Sequence, residues 1–122
     1  MKYVSKFILV ELKNGKDIRE VKAVPLNSKS IKAFVYKDTR GTLTKREGWV
    51  ITIEETGCYV NNILYPTVKD AQHDWDEVEE RCLSLLENPR IKEGYDEKKK
   101  IFTVLLKEYH DGLKFVEELL NA

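Results

Sequence analysis

The spacing of hydrophobic residues changes period once, at Pro66, and nothing else in the chain constrains the fold as strongly. Before Pro66, apolar and polar residues alternate. Trp49, Ile51 and Ile53 face one way, and Val50, Thr52 and Glu54 the other, which is the two-residue period of a strand. After Pro66, apolar residues recur every three or four positions. Val68, Ala71, Trp75, Val78, Cys82 and Leu85 are spaced 3, 4, 3, 4 and 3. Phe102, Leu106, Tyr109, Leu113, Val116 and Leu120 are spaced 4, 3, 4, 3 and 4. Both are helical stripes with heptad character. Strands followed by helices make an α+β fold. The expected architecture is an antiparallel sheet of four to five strands over residues 1–66. A C-terminal antiparallel helix hairpin over 67–122 packs on one face, all within a single domain.

Turn residues divide the first half. Strands are expected over Lys6–Leu12, Ile18–Pro25, Ile31–Lys37 and Gly48–Glu55, with a short fifth at Cys58–Val60 and extended chain at Ile63–Tyr65. Asn14-Gly15 is a two-residue hairpin signal, since both residues tolerate positive φ. Asn27-Ser28-Lys29-Ser30 is a polar turn, and Thr56-Gly57 another. In the second half, Thr67-Val68-Lys69-Asp70 resembles a capping box that opens a helix ended by Asn88-Pro89. A second helix is expected from about Asp96 to Asn121, with Gly112 inside it at a cost of about 1 kcal/mol. Its free end outruns the sheet and offers a surface for a partner or for a homodimer.

Composition narrows the function classes. The 122 residues hold 21 basic and 21 acidic side chains, a formal net charge of zero, which disfavours wholesale coating of nucleic acid. The charge is divided between the halves: residues 1–66 carry +5 and residues 67–122 carry −5. Cys58 and Cys82, 24 positions apart with no C-x-x-C, read as reduced, small hydrophobic residues. The apolar run Phe7-Ile8-Leu9-Val10 is too short for a signal peptide core or a membrane span. A soluble, cytoplasmic protein without a cofactor is expected.

Two groups of residues are candidates for binding. Tyr36, Arg40, Lys45, Arg46 and Trp49 place basic side chains between aromatic rings around a loop, a pattern that suits phosphates and bases of a single strand. Asp70, His73, Asp74 and Glu77 share one face of the first helix. One imidazole without a second cluster makes no metal site, so the face reads as an acidic strip for a basic partner. Lys107 and Lys114 flank His110-Asp111 on the second helix. Adjacent helical residues do not face each other, so His110-Asp111 is no half of a catalytic triad. No G-x-S-x-G, P-loop or G-x-G-x-x-G occurs. No pair of acid–base groups is forced to converge, so no catalytic residue is assigned and no enzyme is expected.

The stretch Gly48-Trp49-Val50-Ile51-Thr52-Ile53-Glu54-Glu55-Thr56-Gly57, with Pro66-Thr67-Val68-Lys69-Asp70-Ala71, resembles a small strand–turn–strand–helix module of bacteriophage and mobile-element proteins. Asn61-Asn62-Ile63-Leu64-Tyr65 is an insertion relative to it. The resemblance implies origin and brings no catalytic residue. By analogy it implies an inhibitor of host machinery, such as a CRISPR or other defence component. The expected function is a non-enzymatic protein-binding module whose contacts include Asp70, Asp74, Glu77, Lys107 and Lys114. The alternative is a nucleic-acid-binding accessory protein using the basic loop 37–46.

Overall fold

Each strand pairs with the one that follows it, because short turns leave antiparallel neighbours as the nearest partners. A computed structural model describes residues 2–40 and 46–121, without the side chains of Thr39, Arg40 and Arg46. The strands are β1 (Val4–Leu12), β2 (Gly15–Pro25), β3 (Ala33–Arg40) and β4 (Arg46–Ile53), in the sheet order β1-β2-β3-β4. The helices are α1 (Val68–Leu85) and α2 (Pro89–Leu120). The architecture is α+β, with a four-stranded antiparallel sheet followed by helices.

The expected fifth strand is reduced to two isolated bridges, Thr52 with Tyr59 and Trp49 with Tyr65. Asn61–Leu64 loops out between them, and Leu64 packs into the core instead of extending a ladder. Backbone bonds from Val60 N to Ile51 O (3.0 Å) and Trp49 N to Tyr65 O (2.8 Å) still protect the outer edge of β4. The first hairpin turns one residue earlier than its sequence suggests. Leu12 pairs with Gly15, so Lys13-Asn14 is the two-residue loop, and Gly15 opens β2 at φ 148°.

The sheet is curled. β2 pairs with β1 along nine positions but with β3 only over Ala23–Pro25. The β1–β2 hairpin therefore folds over the β3–β4 hairpin. Ile8, Ala23, Phe34, Tyr36 and Val50, one or more from every strand, form the inner core. Leu9 N donates to Gly57 O at 2.8 Å, joining β1 to the turn after β4. Gly57 has φ 66°, and a Cβ there would stand 2.5 Å from the Phe102 ring and 2.8 Å from Leu9 N. The Thr56-Gly57 turn thus requires glycine on two counts.

The outer face of β3 and β4 is covered by α1. Val35, Trp49 and Ile51 meet Ala71, Trp75 and Val78 there. Thr67 caps α1 by accepting from Asp70 N at 3.1 Å. α2 begins seven residues before the expected Asp96. α1 ends at Leu85 with Leu86 as its C-cap, and Asn88 caps the next helix, its side chain accepting from Arg90 N at 3.0 Å, with Pro89 in the first turn. The expected link through Gly94 is thus helical. α1 gives its stripe to β3 and β4, whereas α2 gives Phe102 to the Gly57 turn and Tyr109 to Phe7 on β1, ring centroids 5.2 Å apart. No helix among the described residues is long and apolar enough to cross a membrane.

Candidate functional site

Two surfaces come closest to a functional site. The first is the end of α2. Its stripe begins buried, with Phe102 3% exposed, and continues half-buried through Leu105 and Leu106. Phe7 meets the Tyr109 and His110 rings. From Asp111 to Leu120 every side chain is exposed. Leu113, Phe115, Val116, Leu119 and Leu120 are between 47% and 80% exposed. The apolar period that holds the helix to the sheet therefore continues for ten residues, about 15 Å, after the covered part ends. The charges on this end are Asp111, Glu117 and Glu118 against Lys114, a net of −2. No basic residue stands in the last turn of α2, where the helix dipole favours one. Acid is concentrated where the backbone is already negative.

The second surface is the fork where β2 and β3 separate. A cleft of about 420 Å³ opens there between Arg19, Lys22 and Lys37, with Tyr3 beside it. The Tyr3 ring lies nearly parallel to Trp49, 12° between planes and 6.4 Å between centroids.

Of the nucleic-acid candidates, the two aromatic rings are largely buried. Tyr36 is 6% exposed in the inner core, and Trp49, 9% exposed, lies in the core under α1. They alternate between the two faces of the sheet, yet both line the cleft beside Arg19, Lys22 and Lys37. Arg40 pairs with Arg46 across the ladder, while Lys45 lies outside the described residues. Lys37 pairs with Glu47 at 3.7 Å.

The α1 carboxylates are mostly engaged locally. Asp70 accepts from the Thr67 hydroxyl at 2.8 Å, Asp74 accepts from the Tyr65 hydroxyl, and Glu77 pairs with Arg81 at 2.8 Å. Burial, and then the Asp74 carboxylate, pushes the Tyr65 phenol up to about 12. Lys107 and Lys114 are exposed on α2. Among the described residues no group of three or more His, Cys, Asp or Glu side chains could hold a metal ion. Cys58 and Cys82 are free thiols. Burial holds the Cys82 thiol above its usual range, which suits packing better than reactivity.

Glu79 was not distinguished by its sequence context. It is 1% exposed, and its carboxylate accepts from Lys29 N (3.1 Å), Ser30 N (2.9 Å) and Ile31 N (2.8 Å). Burial opposes its charge, but the three backbone donors outweigh burial and hold the carboxyl below its usual range. Gln72 exchanges two hydrogen bonds with Asn27, and the Trp75 indole donates to Ser28 Oγ at 3.0 Å. One face of α1 thereby clamps the polar turn 27–31. This clamp also explains why β3 starts at Ala33 rather than Ile31: the backbone donors of residues 29–31 are committed to Glu79.

No family model matches this chain, and neither a curated protein nor a solved structure matches it.

Proposed function

We propose that the protein is a non-enzymatic protein-binding module whose contact element is the end of α2. The carrying observation is the exposed stripe Leu113, Val116 and Leu120, widened by Phe115 and Leu119, on a helix that is anchored at Phe102. Side chains at i, i+3 and i+7 on a rigid helix are the anchors of helix-in-groove recognition. The partner is a protein with an apolar groove rimmed by basic residues. The net charge of −2 and the uncompensated helix C-terminus favour such a rim, and both oppose pairing with a second acidic copy of the same segment. The host-directed inhibitor implied by the strand–turn–strand–helix resemblance is one form of this reading.

The test is capture from a nuclease-treated bacterial lysate by the wild type and by Val116→Asp. Val116 is 50% exposed, so the variant keeps its melting temperature. The expected result is one stoichiometric protein held by the wild type, lost on Val116→Asp, and crosslinked to a photoreactive residue placed at Phe115. Capture that is indifferent to Val116→Asp rejects the helix end. Recovery that collapses on nuclease treatment transfers the function to nucleic acid.

A further inference from the structure

β2 has a free edge with a self-complementary sequence. Over residues 15–22 no strand among the described residues pairs with the side of β2 that faces away from β1, and α2 is the other element packed against β2. The orientation of that edge follows from one bond. Leu9 N donates to Gly57 O, so the Leu9 backbone points away from β2. Its cross-strand partner Ile18 must then point away from β1. Alternation places the backbone groups of Lys16, Ile18 and Glu20 along the same open edge. Ile18 N is held by its neighbour, Asp17 Oδ1, at 2.8 Å. Among the described residues the Ile18 carbonyl and the outward groups of Lys16 and Glu20 have no backbone partner.

The side chains along this edge read Lys16, Asp17, Ile18, Arg19, Glu20. Reversed about Ile18, every charge meets its opposite. An antiparallel copy in that register sets Ile18 against Ile18, Lys16 against Glu20 and Asp17 against Arg19. The parity is correct, because Ile18 carries the outward-pointing backbone groups; pairing moves Ile18 N from Asp17 Oδ1 to the facing Ile18 carbonyl and releases Asp17 for the facing Arg19. The faces agree too: Lys16 and Glu20 share one face of the strand, and Asp17 and Arg19 the other. Lys16 also has reason to take a second carboxylate. Lys98 bonds Glu11 at 3.1 Å, and Glu11 is the cross-strand partner of Lys16, so two ammonium groups stand at one acid. Lys98 is the chief reason the Lys16 amine sits below its usual range.

We infer that β2 pairs edge to edge with β2 of a second copy about a two-fold axis at Ile18, joining the two β1–β2 hairpins into one antiparallel ribbon. The contact is isologous, so each charge pair occurs twice. It is short, and the resulting dimer is weak and salt-sensitive. It is independent of the α2 end and uses none of its residues.

Sedimentation equilibrium tests this on the full chain, over a concentration series up to about 1 mM, the range of weak association. The wild type is expected to move from one copy toward two. Arg19→Asp puts like charges opposite each other at two places and weakens self-association by about tenfold or more. The double swap Asp17→Arg with Arg19→Asp is self-complementary again and restores it. Both positions are exposed, and circular dichroism verifies that each variant is folded. A wild type that stays monomeric throughout overturns the inference. So does a folded Arg19→Asp that associates like the wild type, or a folded double swap that does not recover. Association lost in Val116→Asp but retained in Arg19→Asp assigns the contact to α2 and rejects the β2 edge.

Discussion

Glu79 presents its carboxylate to three consecutive backbone N–H groups, in a position that is 1% exposed. A glutamine there keeps one acceptor oxygen but turns an amide donor toward backbone donors. Glu79→Gln is therefore expected to cost about 2–3 kcal/mol at neutral pH, read by urea unfolding. The pH dependence has a definite sign. The folded carboxyl lies below its usual range, so its contribution is complete above that range and is lost as pH falls through the depressed folded value. The gap between wild type and variant should narrow on acidification, and a gap that widens would contradict the clamp. Thr52 makes the opposite case. Its hydroxyl is buried with no hydrogen-bond partner, in a side chain 1% exposed. Thr52→Val keeps the shape and removes the unpaired group, so it should stabilise by about 1 kcal/mol in the same measurement. The Glu79 clamp leaves a faint trace in the sequence: Ala71, Trp75 and Glu79 form an i, i+4 row, so one charge continues an apolar row. Hydrophobic period alone cannot detect it, because the partners are backbone groups 48 to 50 positions away.

At the scale of elements, α2 carries one sequence period through two environments. Phe102 and Leu113 belong to the same stripe, yet one is 3% exposed and the other 47%. Periodicity reports which face a helix offers, and only the length of the covering sheet decides how much of that face is used. Phe102→Ala is expected to cost about 3–5 kcal/mol, while Leu113→Ala changes stability by less than about 1 kcal/mol. Equal losses in urea unfolding would mean that the helix end is covered in solution. The start of α2 was hidden for a different reason. Asn88-Pro89 is a stop for the preceding helix, but Asn is also a good N-cap and Pro a good first-turn residue, so the pair serves as stop and start together. The strands were legible through β-branched alternation. The fifth strand is reduced to two bridges, because the 58–65 segment has strand-forming residues but spends Leu64 on the inner core.

For the whole molecule, the curl of the sheet is what a linear reading could not supply. The four strands and their sequential order follow from turns and alternation. That β1 returns to the turn after β4 depends on contacts across nearly fifty positions. Lys6 pairs with Glu54, Leu9 with Gly57, and Phe102 lies on that same glycine. Gly57 is where β1, the end of β4 and α2 converge, and its backbone serves all three. The carbonyl holds β1, the absent side chain admits the Phe102 ring, and φ 66° turns the chain. Gly57→Ala sets a Cβ within 2.8 Å of both Phe102 and Leu9 and leaves a strained φ. One of the three must yield. Displacing Phe102 unseats the helix, and displacing Leu9 opens the curl, so either route spreads from one atom to two elements. The expected cost is about 3 kcal/mol, a fall in melting temperature of about 10 °C for a chain of this size. Amide exchange distinguishes this coupling from local strain. A strained turn alone would speed exchange only near residues 54–58, whereas loss of a shared junction also exposes the Leu9 amide and the first half of α2, leaving the Trp75 side of α1 protected.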